Sequence, residues 1–180
     1  MRGQLILATI LVLFTGCSSA GKGPAQMRPL APLLPGDSRQ LVQHIAVQYR
    51  GEQKDLMGAS LLGPELVKIS LLTPEGVGLL DICYDGHEVR AEQYLGGKSI
   101  PPEALLADMQ LVYWPLQSLR DALPVQWSLR EERDGGKRRR QLFFRGELFT
   151  EVTYSSDDIW RARVQLDQKV LGYSLNIKNL

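Results

Sequence analysis

The chain is poor in the residues that most site chemistry needs. Of its 180 residues two are cysteine and two histidine. His44 and His87 fall on separate predicted strands, with no cysteine or carboxylate at metal-ligand spacing. No metal site and no cofactor follow from that pattern. The Gly-x-Ser-x-Gly turn that presents a serine nucleophile is missing too, and Ser, His and Asp fall into no triad-like arrangement. The sequence therefore offers no catalytic apparatus, and the protein is read as a non-enzyme. Lys and Arg total 21 against 20 Asp and Glu, a formal net charge of +1, so no long-range field draws the chain to nucleic acid. Nor does the apolar run near the start, Leu5 to Phe14 broken only by Thr9, reach the length that spans a bilayer.

That short run nevertheless places the protein. Arg2 gives a positive start, and Thr15-Gly16 are the small residues a signal peptidase needs before Cys17. The segment resembles a bacterial lipoprotein signal, with Phe14 where Leu is usual; the alternative is an ordinary secretory signal with a chance cysteine. The resemblance implies that Cys17 takes a diacylglycerol and becomes the new N-terminus. Two or more acyl chains, at roughly 0.8 kcal/mol per buried methylene, anchor a protein stably. In such lipoproteins a residue other than Asp after the cysteine permits transfer to the outer membrane, so Ser18 implies the periplasmic face of that membrane. Residues 1–16 are read as signal peptide. Residues 17–36, with Gly21, Gly23, Pro24, Pro29, Pro32 and Pro35, are read as a flexible tether, and 37–180 as one domain. Cys83 is then the sole remaining thiol, which excludes an internal disulfide, and is expected as a small buried hydrophobe on a strand.

Period-two alternation marks the strands. It runs through Ile45, Val47 and Tyr49; Val67, Ile69 and Leu71; Leu80, Ile82 and Tyr84; and, more weakly, Val89 to Tyr94. After Ser99-Ile100-Pro101-Pro102 the period changes to that of a helix, with Leu105, Leu106, Met109, Val112 and Tyr113 on one face. Pro115 interrupts it, and Leu116, Leu119 and Leu123 carry a second short helix. Strands resume with Val125, Trp127 and Leu129; Leu142 to Phe144; Leu148 to Tyr154; Trp160 to Leu166; and Leu171 to Ile177. Turn signals separate them at Asp134-Gly135-Gly136, Arg145-Gly146 and Ser155 to Asp158. Strands, helices, strands predict a mainly β (α+β) fold. Accumulated twist curls about ten antiparallel strands into a strongly curved half-barrel, with helices covering its concave face. The helices either fill that face or lid a cavity.

Leu71 to Gly76, the helix with Leu105 and Leu106, Trp114 to Arg120, Phe149 to Tyr154 followed by Trp160, and Gly172 to Ile177 stand in an order that resembles LolB-like outer-membrane lipoproteins. The resemblance spans most of residues 37–180. The run Leu105 to Leu116 is more similar still to an uncharacterised lipoprotein family encoded beside fatty-acid-synthase-like clusters for aryl polyene lipids. The LolA/LolB-like resemblance implies an apolar interior that holds acyl chains, a lipid or lipoprotein cargo, and a LolA-like periplasmic carrier as donor. It also implies a membrane-touching loop at Pro74, Glu75 and Val77, although Glu75 stands where an apolar residue is usual, and a carboxylate resists entering hydrocarbon.

The inward-facing residues Ile45, Val47, Ile69, Leu80, Leu105, Met109, Trp127 and Val164 are the candidates for an acyl cavity. Lys137, Arg138, Arg139 and Arg140 are placed at or beside a hairpin tip. They form either a solvated turn that guards an edge or a patch for lipid phosphate or an acidic partner. Arg120 is either an ion-paired structural residue or a lipid-head contact at the mouth. The expected function is a lipid-anchored outer-membrane lipoprotein that binds acyl chains and takes part in lipid or lipoprotein transfer. The alternative is a tethered periplasmic scaffold with a filled core that docks a transporter or carrier.

Overall fold

The computed structural model describes residues 27–94 and 100–180. Cys17, the signal segment and the first part of the expected tether lie outside the described residues. Ten strands form one open sheet in the order β5-β4-β3-β2-β1-β10-β9-β8-β7-β6, with every neighbouring pair antiparallel. The elements are β1 (Arg39–Tyr49), β2 (Glu52–Leu62), β3 (Val67–Leu72), β4 (Gly78–Tyr84), β5 (Val89–Gln93), α1 (Pro102–Tyr113), α2 (Leu116–Asp121), β6 (Trp127–Asp134), β7 (Lys137–Phe144), β8 (Glu147–Tyr154), β9 (Val164–Gln168) and β10 (Tyr173–Asn179). Two five-strand meanders flank the helices and are joined through β1 and β10.

Three hairpins close through two-residue turns with both central residues at positive φ: Arg50-Gly51, Gly135-Gly136 and Arg145-Gly146. Such turns match the right-handed twist of paired strands. Pairing and alternation together send Ile45, Leu56 and Ile177, or Val47 and Leu175, to one face. That face is the core side.

The sheet bends round α1. Arg140 of β7 bonds the carbonyl of Leu111 at 2.7 Å, while the same helix lies against β5. β5 and β7 are eight strand steps apart, about 38 Å in a flat sheet at roughly 4.8 Å per step. A twelve-residue helix is only about 18 Å long. Curvature alone lets it touch both.

Pro102 opens α1, its ring fitting a position whose N–H has no helical partner. The helix ends at Trp114-Pro115, and side chains from the sheet take its last carbonyls. Arg140 Nη1 donates to Leu111 and Trp114, at 2.7 and 2.9 Å, and the Tyr154 hydroxyl donates to Val112 at 2.8 Å. Orphan helix carbonyls are thereby satisfied by tertiary contact.

Several sequence expectations are corrected. β2 has no counterpart among the expected strands. α1 is buried on more than one side, since Ala104, Ala107, Asp108, Gln110 and Leu111 are buried beside the apolar stripe. The cover on its outer side is residues 27–35, expected as free tether, which pack as a strap. Gln110 accepts from the Ala31 N–H and donates to the Ala31 carbonyl, both at 2.8 Å. Trp114 Nε1 donates to Pro32 at 2.8 Å, and Arg28 donates to the Ala107 carbonyl. The folded unit therefore begins before residue 37. Val125 precedes β6 and is fully exposed. Trp160 precedes β9, where it stacks on Tyr113 at 5.0 Å. Cys83 lies on β4 but is half-buried, because alternation turns it away from the core.

Candidate binding site

Between α1 and the β1–β4, β9 and β10 part of the sheet lies a hollow of about 570 Å³. Its walls are aliphatic: Ile45 and Val47 from β1, Leu56 from β2, Ile69 and Leu71 from β3, Leu79 and Leu80 from β4, Leu166 from β9, and Leu175 and Ile177 from β10. Ile100, Leu105, Asp108 and Met109 roof it. Tyr49, Arg50, Glu52, Lys54 and Gln93 stand at the mouth, at the end where β1 turns into β2 and β5 stops. At the inner end Gln43 Nε2 donates to the Tyr113 hydroxyl at 2.6 Å and to Asn179 Oδ1 at 2.7 Å, tying sheet to helix.

Six of the eight expected cavity residues line this hollow: Ile45, Val47, Ile69, Leu80, Leu105 and Met109. Trp127 and Val164 do not. Trp127 packs on Phe144 and Phe149, with both ring centroids 4.8 Å away, so bulky aromatics fill the β6–β8 part of the interior. Val164, at the start of β9, is buried in the same core. Leu56, Leu166 and Leu175 were not singled out from sequence. Leu175 alternates visibly with Ser174 and Asn176, whereas Leu56 ends a run of polar residues.

One ionisable cluster abuts the hollow. Asp108 accepts from the Tyr173 hydroxyl. Burial raises its carboxyl to about 7, against the opposing pull of Tyr173 and Arg28. Burial likewise lowers Arg28 to about 10, opposed by Asp108. The strap thus brings a cation to the helix that roofs the cavity.

The expected basic patch is divided by strand alternation. Lys137 to Arg140 open β7, and the turn is Gly135-Gly136 alone. Arg140 points inward at 2 % exposure and bonds Glu131 at 2.8 Å. Arg138 lies beside the same carboxylate at 3.8 Å. Arg139 faces outward and pairs with Glu132, while Lys137 stands opposite Asp134. No four-cation surface forms. Arg120 donates to the Leu129 carbonyl at 3.1 Å, a structural contact, and does not line the hollow. His44 has a carboxylate partner that the sequence reading did not find, Asp55 at 3.1 Å across the β1–β2 pair. Among the described residues no group of three metal-ligating side chains occurs.

Pro74, Glu75 and Val77 lie in the β3–β4 turn and are all exposed. The Thr73 N–H donates to the Val77 carbonyl at 2.8 Å, with Gly76 at φ 88°. A hydrogen bond from the Thr73 side chain holds the Glu75 carboxyl below its ordinary range. A charged residue therefore sits at the tip, with Val77 beside it.

Residues 40–180 match a family described as protein of unknown function, DUF3261. The chain belongs to the DUF3261 family. No curated protein matches it. The matched span begins one residue into β1 and covers every strand and both helices, so it contains all of the cavity lining.

Proposed function

We propose that this DUF3261 protein is a non-enzymatic lipoprotein, anchored through Cys17 at the periplasmic face of the outer membrane, that holds acyl chains in the hollow beneath α1. In this reading it takes part in lipid or lipoprotein transfer, with a LolA/LolB-like division of the fold into curved sheet and helical cover. A LolA-like carrier is the donor, and an aryl polyene lipid is the cargo class that the sequence resemblance favours.

The observation that carries the reading is the hollow itself. Ten aliphatic side chains of the sheet surround about 570 Å³, and charged groups appear only near the mouth and at Asp108. That volume lies within the roughly 300–1,000 Å³ typical of sites that engulf small ligands. An apolar chain gains about 25 cal/mol for each Å² it removes from water, without asking the walls for specific hydrogen bonds. The polar head would remain among Arg50, Glu52 and Lys54. Transfer along acceptors then needs only successive differences in affinity, and no nucleotide.

The test is mass spectrometry of lipids extracted from the Cys17→Ser domain after secretion in its own host. One dominant acyl-bearing species at near-stoichiometric amount is expected. A lipid-free protein, or the mixture found in the surrounding membrane, would count against the reading.

A further inference from the structure

The strap has a direction. Residue 28 lies by Ala107, residue 31 by Gln110 and residue 32 by Trp114. Followed backward from β1, the chain therefore runs from the C-terminal end of α1 toward its N-terminal half. That half is the mouth side, since Asp108 bonds Tyr173 at the start of β10, whereas Tyr113 near the helix C-terminus bonds Gln43 and Asn179 at the inner end. Arg28 stands level with a point five residues from Pro102, about 8 Å along the axis.

Nine residues, or ten chain steps, separate Cys17 from Met27. Ten chain steps reach at most about 36 Å even when drawn out fully. The eleven-residue strands β1 and β2 are themselves about 36 Å tall. A free tether reaching to residue 36 would let the domain tumble. The short remainder leaves the far end out of comfortable reach of the anchor.

The mouth end also carries most of the exposed large apolar side chains among the described residues, interspersed with the charged Arg50, Glu52, Lys54 and Glu75; Val42 and Leu180 stand at the other end. The register places the β1–β2, β3–β4, β7–β8 and β9–β10 turns at this end. Exposed there are Val77 at 54 %, Val170 at 50 % and, just before β6, Val125 at 100 %. Isolated valines at turn tips carry no obvious folding role.

We infer that the strap orients the molecule: it delivers the anchored N-terminus at the open end, so that the mouth of the hollow and its valine-bearing rim rest against the bilayer surface. This rests on the lipidation of Cys17 proposed above. Cargo then moves between hollow and membrane without crossing open water, because the opening faces the surface that holds the anchor.

The experiment uses the full lipidated chain in phosphatidylethanolamine–phosphatidylglycerol vesicles, in a Cys83→Ser background. An environment-sensitive fluorophore is placed on Val125→Cys or Val170→Cys at the rim, or on Glu65→Cys in the β2–β3 turn at the far end, and nitroxide phospholipid serves as quencher. Quenching several-fold stronger at the rim than at residue 65 is expected. That contrast should fall when a long Gly/Ser spacer is inserted between Gly23 and Pro24, a change that leaves the strap intact. Equal quenching, stronger quenching at residue 65, or a contrast indifferent to the spacer would overturn the inference. Intact mass of the mature N-terminus reads lipidation separately, and a mass without diacylglycerol would overturn both the anchoring and this orientation. Lipid co-purifying with the Cys17→Ser domain is independent of both, so loss of the orientation alone leaves acyl binding standing.

Discussion

At the scale of single residues, two buried ionisable groups set the strongest expectations. Arg140 reads in sequence as the last cation of a surface run, yet its side chain joins Glu131 to the end of α1. Burial pulls the Glu131 carboxyl upward, but the hydrogen bonds from Arg140 and Arg133 outweigh it and hold the group below its ordinary range. Removing Arg140 takes the buried donor from Glu131 Oε2 and from the Leu111 and Trp114 carbonyls. Arg140→Ala should therefore lower unfolding free energy by about 3–5 kcal/mol, measured by chemical denaturation, whereas Arg139→Ala on the outer face should cost under about 1 kcal/mol. Asp108 gives a pH signature. Its native carboxyl titrates near 7 and the unfolded one near 4, so the native state binds more protons between those values. Stability from this group is full below about pH 4 and declines as pH rises through 7. The melting temperature should fall from pH 5 to pH 8, and Asp108→Asn should flatten that slope.

At the scale of elements, the strap and β2 are where sequence reasoning and structure part. Prolines between residues 29 and 35 read as linker because they break both regular periodicities. The same residues pack because Gln110, a polar side chain on a buried helix face, pairs with both backbone groups of Ala31. Gln110→Leu should cost roughly 1–3 kcal/mol for each backbone group left unpaired. Hydrogen exchange should accelerate in α1 and not in β6 to β8. β2 escaped notice because Glu52, Gln53, Lys54 and Asp55 open it and Gly58 interrupts its inner face, where Ile45 packs closely enough that a Cβ would meet Cδ1 at 2.9 Å. Arg50-Gly51, a two-residue turn after an alternating strand, was the signal that could have revealed it. By contrast both helices and the other nine strand regions were legible, since proline starts and unbroken alternation leave little choice of period. The basic run misled for a related reason. Gly135-Gly136 suffices for the turn, so the cations that follow already alternate in and out along β7.

At the scale of the whole molecule, one interior is used in two ways. Aromatics close the β6–β8 side, while the β1–β4 side, walled by branched aliphatics and Leu, stays open beneath α1. That division explains why Trp127 and Val164, equally inward by pattern, lie outside the hollow: alternation tells which face a side chain takes, not whether the space before it is filled. The two regions should respond separately. Trp127→Ala should cost about 3–5 kcal/mol and leave acyl binding unchanged, because it empties the packed side. Leu175→Trp, a substitution into the hollow, should abolish acyl binding while folding persists. The most direct measurement is a titration of the Cys17→Ser domain and its Leu175→Trp variant with a fluorescent fatty-acid probe. The account predicts saturable single-site binding by the first and none by the second; no saturable binding by the parent domain, or equal binding by both, would contradict it.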